Sequence, residues 1–313
     1  MANSRVGGST GKGRVLAHPR VGGCYGESVG GCNGWWGGKE GESVNEGRRQ
    51  KTEWALILGA SSGFGEAAAL ELAGCGMNIL GVHLDRKSTM GNVERITGAI
   101  TSRGREALFF NVNAADPEKR TEVLDAFSKL PSEGGEAAPI RVLLHSLAFG
   151  TLKPFLADSE EEMLTKPQMD MTLDVMANTL VYWTQDLVRR RLMGPGGRVF
   201  AMTSAGGARV WKTYGAVSAA KSALESHVRQ LTLELGPFGI TVNAIMAGVT
   251  DTPALRKIPG ADRMIKMALA KNPSGRLTTT RDVADAIGLL SDPKEQWITG
   301  NVICVDGGEF VVN

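Results

Sequence analysis

The chain has 313 residues, 42% hydrophobic and 22% charged, with a formal net charge of +2. That composition suits a globular protein with a sizeable core, and the near-neutral charge argues against a dedicated nucleic-acid binder. No apolar run is long enough to span a bilayer, and the four cysteines (Cys24, Cys32, Cys75, Cys304) lack metal-ligand spacing, which predicts no metal site and a reducing, cytoplasmic setting.

Residues 1–50 are crowded with glycine and basic residues and show no hydrophobic periodicity. They cannot bury enough apolar surface to offset the entropy of ordering them, so a disordered extension is expected there, with one folded domain over 51–313. The segment also lacks the apolar core of a secretory signal.

The folded part opens on Trp54-Ala55-Leu56-Ile57-Leu58, a short apolar run of strand length. It empties into a loop carrying Gly59, Ser61, Ser62, Gly63, Phe64 and Gly65, after which Glu66 to Leu72 are helix formers. Strand, Gly-rich turn and helix make a phosphate cradle, because glycine allows close backbone approach and the helix start offers free N–H groups. The spacing is Gly-x-x-x-Gly-x-Gly rather than Gly-x-Gly-x-x-Gly, and this wider loop resembles the short-chain dehydrogenase/reductase family. A second strand is expected over Met77 to Val82, followed by His83-Leu84-Asp85-Arg86-Lys87. Such strand ends meet the adenosine ribose, where an acid favours NAD and a positive charge the 2′-phosphate of NADP. Arg86 and Lys87 favour NADPH, and Asp85 keeps NADH open.

Further apolar runs follow at Glu106 to Asn111, Ile140 to Leu144, Gly197 to Thr203, Ile240 to Met246 and Asn301 to Val305, alternating with helical patterns. Continuous apolar strands covered on both faces predict an α/β fold: a single Rossmann-type, doubly wound parallel sheet of about seven strands. The resemblance places Asn111 and Val112 at the adenine ring, and Ser146, Leu147 and Ala148 near the cofactor. His145-Ser146-x-x-Phe149 is similar to the branch containing the enoyl-acyl-carrier-protein reductases. His145 itself is expected to brace the strand end.

Tyr214 and Lys221 stand seven residues apart, about two turns, at the start of a helix running through Leu235. A phenol is a weak donor to a nascent oxyanion unless its anion is stabilised, and a nearby ammonium does this. The Tyr-x6-Lys spacing again resembles the enoyl reductases, in which the enolate oxygen lies two atoms from the carbon that accepts hydride. Thr203 and Ser204 supply hydroxyls that leave ketone reduction open. The family's asparagine in the preceding helix, read over Asp174 to Met193, is replaced by Met176, with Asn178 two residues off.

In the family, the turn Gly248-Val249-Thr250-Asp251-Thr252 meets the nicotinamide carboxamide through backbone groups and a threonine hydroxyl. The stretch 251–273 is expected to form a substrate lid, with Met264, Ile265, Met267, Ala268 and Leu269 at helical spacing. Arg256, Lys257, Arg263, Lys266 and Lys271 ring it and could attract an acidic carrier protein or the phosphates of coenzyme A.

Together the resemblance implies NAD(P)H-dependent reduction of enoyl thioesters on acyl carrier protein or coenzyme A. It also implies a homo-oligomer, dimer or tetramer, with no nucleic-acid or membrane partner. The alternatives are a ketone-reducing enzyme of the 3-oxoacyl reductase or 7-alpha-hydroxysteroid dehydrogenase kind, and a non-catalytic NAD(P)-binding sensor.

Overall fold

A computed structural model describes residues 53–130 and 139–312. The expected N-terminal extension over 1–50 and the loop around Gly134-Gly135 lie outside the described residues.

Seven parallel strands form one sheet in the order β3-β2-β1-β4-β5-β6-β7. They are β1 (Trp54–Leu58), β2 (Asn78–His83), β3 (Ala107–Asn111), β4 (Ile140–His145), β5 (Arg198–Ser204), β6 (Thr241–Ala247) and β7 (Val302–Val305). The order reverses between β1 and β4, which opens a crevice at the carboxyl ends of the strands. Alternation along β1 shows how both faces are covered. Trp54, Leu56 and Leu58 pack with α3 (Pro117–Ser128), α5 (Thr179–Arg189) and α6 (Gly215–Leu235) on one side. Ala55 and Ile57 pack with α1 (Gly63–Gly74), α2 (Met90–Thr101) and α8 (Thr280–Leu290) on the other. A strand buried on both faces needs apolar side chains at successive positions, which is why these segments read as unbroken hydrophobic runs.

The strand and helix expectations hold with small shifts. The second strand runs one residue further than the sequence suggested and ends on His83, which is buried. The helix expected to start at Asp174 starts instead at Lys166, as α4 (Lys166–Leu173), and passes through a π-helical turn (Asp174–Asn178) into α5. The wide turn was not legible in the sequence, because nothing in Asp174-Val175-Met176-Ala177-Asn178 forbids an ordinary helix. The lid segment resolves into a short 3₁₀ turn (Leu255–Lys257) and α7 (Ala261–Lys271).

Among the described residues no helix is long and apolar enough to cross a membrane.

Candidate active site

The crevice is a cavity of about 1100 Å³ at the carboxyl ends of the strands. Its phosphate end is built by the glycine loop. Gly59 sits at φ 91°, and a Cβ there would lie 2.4 Å from the Ser146 carbonyl oxygen, so the loop is pressed against the end of β4. A Cβ on Gly65 would lie 2.0 Å from the Gly59 oxygen, which is how α1 starts so close to the strand. Asn92 on α2 fixes the loop by donating to the Ser61 carbonyl at 2.5 Å and to Glu66 at 3.1 Å, and Arg95 pairs with Glu66. A glycine-rich loop at a helix start fits a pyrophosphate, since unspent first-turn N–H groups and the helix dipole both favour an anion.

The far end of the cavity is set by the turn after β2. Asn111 does not line the cavity. It accepts from the Asp85 amide at 2.9 Å and donates to the Asp85 carbonyl at 3.0 Å, so it shapes this turn, while Val112 lines the wall. The Asp85 carboxylate accepts from Thr89 at 2.7 Å and meets His83 Nδ1 at 3.0 Å. Burial pushes its pKa up, but the hydroxyls of Ser61 and Thr89 and the His83 ring outweigh that and hold it below the usual range. Arg86 lines the same wall, exposed, and its guanidinium has no partner among the described residues.

Tyr214, Lys221 and Ser204 all line the cavity, with Ser204 beside Tyr214. Tyr214 caps the N-terminus of α6, and Thr213 before it adopts φ 65°, a costly conformation for a β-branched residue. Such strain is tolerated where surrounding contacts fix a functional side chain. Burial raises the Tyr214 pKa, and the neighbouring Ser204 hydroxyl acts against this. The sequence suggests that Lys221 depresses the phenol; burial raises it instead, only Ser204 opposes the rise, and Tyr214 is a neutral phenol. The buried Lys221 ammonium donates to the Met202 carbonyl at 2.6 Å. Its burial lowers its pKa to about 8, against the opposing effect of Glu225.

Thr203, expected as a hydroxyl that could assist a carbonyl, donates to Glu225 at 2.6 Å. Ser204 is the hydroxyl beside the phenol, and its buried Oγ has no partner among the described residues other than Tyr214, whose pKa it lowers. His145 is fully buried behind the site, its Nε2 2.7 Å from Thr179 Oγ1. Thr179 in turn donates to the Val175 carbonyl in the π-turn at 2.8 Å. The histidine thus braces β4 against α5.

The segment after β6 closes the cavity over the glycine loop: a Cβ on Gly63 would lie 3.7 Å from Thr252 Cγ2. Gly248 and Val249 line the wall here, and Thr250 donates to the Gly248 carbonyl at 3.0 Å. Thr252 accepts from the Leu255 amide at 3.2 Å.

Ser146, Leu147 and Ala148 line the wall opposite. Met264, Met267 and Ala268 of α7 face the cavity; Ile265 and Leu269 do not. Of the basic residues on the lid, Lys257 and Lys271 reach the cavity, while Arg256 is paired with Asp251 and Asp262.

Sequence reasoning missed Arg209, Trp211, Glu309 and Phe310, which complete the wall. Trp211 donates to the Pro259 carbonyl at 3.0 Å and so ties the loop before Tyr214 to the lid. Among the described residues no group of three or more His, Cys, Asp or Glu could hold a metal ion.

Residues 59–309 match the profile of the family described as Enoyl-(Acyl carrier protein) reductase. The chain is 28% identical over 266 residues to an NADPH-dependent aldehyde reductase-like protein, chloroplastic, of Arabidopsis thaliana, covering 81% of this chain and 93% of that one. It is 29% identical over 260 residues to 1-cyclohexenylcarbonyl-CoA reductase of Streptomyces collinus, covering 82% and 87%. Among solved structures, the enoyl-[acyl-carrier-protein] reductase (NADH) of Aquifex aeolicus superposes with a TM-score of 0.70 at 23% identity, covering 83% of this chain and 97% of that one.

Proposed function

The chain belongs to the short-chain dehydrogenase/reductase family whose profile is described as Enoyl-(Acyl carrier protein) reductase, and from that premise we propose that this NAD(P)-dependent oxidoreductase reduces the double bond of enoyl thioesters. The observation that carries the reading is the placement of Tyr214 and Lys221, two helical turns apart, in one cavity with a glycine-loop phosphate cradle. A nicotinamide cofactor, when bound, supplies the hydride to the substrate Cβ. The chain's part is to hold the thioester carbonyl against Tyr214, whose neutral phenol donates a hydrogen bond to the oxygen as it becomes an enolate oxygen, and then a proton. Donors aimed at developing charge in a water-poor site are the largest contribution of such a site. Lys221, an ammonium on the wall of the same cavity, stabilises the phenolate left by proton transfer. Apolar walls from Met176, Trp211, Met264 and Met267 suit an acyl chain, and Lys257 and Lys271 suit the acidic groups of coenzyme A or a carrier protein.

NADPH is the cofactor favoured by the turn after β2. Asp85 is occupied by Thr89 and His83, which leaves the unpartnered Arg86 as the group facing a 2′-phosphate. Self-association through α5 and α6 is the assembly favoured by the exposed Tyr182 and Leu233 on those helices.

Ketone reduction is the second reading, and it is favoured by the buried Ser204 hydroxyl beside Tyr214. The test is NADPH oxidation at 340 nm with crotonyl-coenzyme A and with acetoacetyl-coenzyme A. Enoyl reduction predicts turnover of the first, lowered about 10²- to 10³-fold by Tyr214→Phe and little changed by Ser204→Ala. Turnover of the second alone, abolished by Ser204→Ala, moves the assignment to ketones.

A further inference from the structure

Glu309 is a buried carboxylate in the cavity wall that the chemistry above does not use. It lies four residues beyond β7, in a turn braced from three sides. The Asp306 carboxylate accepts from the amides of Gly308 and Phe310 at 2.9 and 2.8 Å, and Asn272 donates to the Asp306 carbonyl at 2.9 Å. Arg209 donates to the Phe310 carbonyl and lies 4.5 Å from the centre of the Phe310 ring. The side chain is therefore held in place.

Only 8% of Glu309 is exposed, and one carboxylate oxygen accepts from the Val249 amide at 3.0 Å. Among the described residues its other oxygen takes no hydrogen bond and is open to the cavity, and no cationic nitrogen lies within 4 Å of the carboxylate. Burial raises its pKa against the Val249 amide; Asp306 adds to the rise, while Arg209 and Lys271 act against it from further away. Carboxylates at this depth are ordinarily paired, and here the unpaired oxygen is the one that opens onto the cavity. A fixed carboxylate with one oxygen open to the cavity is explained if the missing partner arrives with the ligand.

We propose that Glu309 reads the occupant of the cavity, its free oxygen accepting a hydrogen bond from an uncharged N–H or O–H donor on the bound ligand. This rests on the functional reading above. Two donors share that chemistry: the amide of the nicotinamide carboxamide and a hydroxyl on the substrate.

The test uses Glu309→Gln, which keeps the shape and an acceptor for Val249, and Glu309→Met, which keeps neither charge nor acceptor. Binding is followed by NADPH fluorescence and by the 3-acetylpyridine analogue, in which a methyl replaces the amide nitrogen. Turnover is compared for crotonyl- and 4-hydroxycrotonyl-coenzyme A. If the donor is the carboxamide, Glu309→Met weakens NADPH about tenfold or more and leaves the analogue unchanged. If it is a substrate hydroxyl, NADPH affinity is unchanged and the preference for the hydroxylated thioester is lost. In either case the ligand-free Gln variant melts within about 2 °C of wild type, because it keeps the acceptor for Val249 and its other terminal atom faces the open cavity. Unchanged ligand preferences in both variants, or a melting temperature of the Gln variant lowered by more than that, overturn the inference while leaving the proposed function standing. Wild type that binds no NADPH removes both.

Discussion

Replacing His145 by Phe probes the packing behind the site through the pH dependence of stability. Thr179 donates to the Val175 carbonyl, so it accepts from His145 Nε2, and the ring is the neutral Nε2–H tautomer. Nδ1 is buried and has no partner among the described residues. Adding a proton there would bury an unpaired cation. Burial, reinforced by Lys221, accordingly lowers the pKa from 6.5 to about 3. The ring stays neutral in the fold, while in the unfolded chain it takes up a proton below about 6.5, so stability is lost as pH falls from 6.5 towards 3. Between pH 7 and pH 5 that loss is about 2 kcal/mol, with about 4–5 kcal/mol lost once the pH is below both values. Phe keeps a ring of similar size but cannot titrate. Losing the Thr179 contact costs about 1 kcal/mol at every pH and cancels when slopes are compared. Urea unfolding at pH 7 and pH 5 is the assay. Wild type should lose about 2 kcal/mol more than His145→Phe over that interval. Equal losses in the two proteins would refute a neutral, buried imidazole at this position.

Two further outcomes follow from the electrostatics of the cavity. Lys221 has a pKa lowered to about 8 by burial, so its ammonium is lost as pH rises through that value. The rate kcat/KM should then fall about tenfold per pH unit above roughly pH 8, and Lys221→Met should lack that limb; a wild-type profile flat to pH 9.5 would contradict the role given to the ammonium. Arg86→Ala should weaken NADPH by about tenfold, as expected for one charge-assisted contact, and leave NADH unchanged. Equal effects on both dinucleotides, measured by fluorescence titration, would remove Arg86 from the 2′-phosphate.

What the sequence determined by itself is whatever local pattern encodes. Strands buried on both faces are apolar at most positions, so β1 and the middles of β4, β5 and β6 were legible as short hydrophobic runs. The glycine loop was legible because only glycine tolerates the Gly59 and Gly65 contacts, and Tyr214 with Lys221 because helical period puts them on one face. What tertiary structure decided lies between segments far apart in the chain. Thr203 and Ser204 are adjacent hydroxyls on a strand end, where side chains alternate; Glu225, more than twenty residues later, takes Thr203 and leaves Ser204 to the phenol. The Asp85 turn depends on Asn111 of the neighbouring strand, and the His145 brace on Thr179 of a helix. Glu309 reads as a polar residue near the chain end until packing brings it against Val249. Period and composition carry no information about such partners, because a hydrogen bond or a buried charge is fixed by where two segments meet in space.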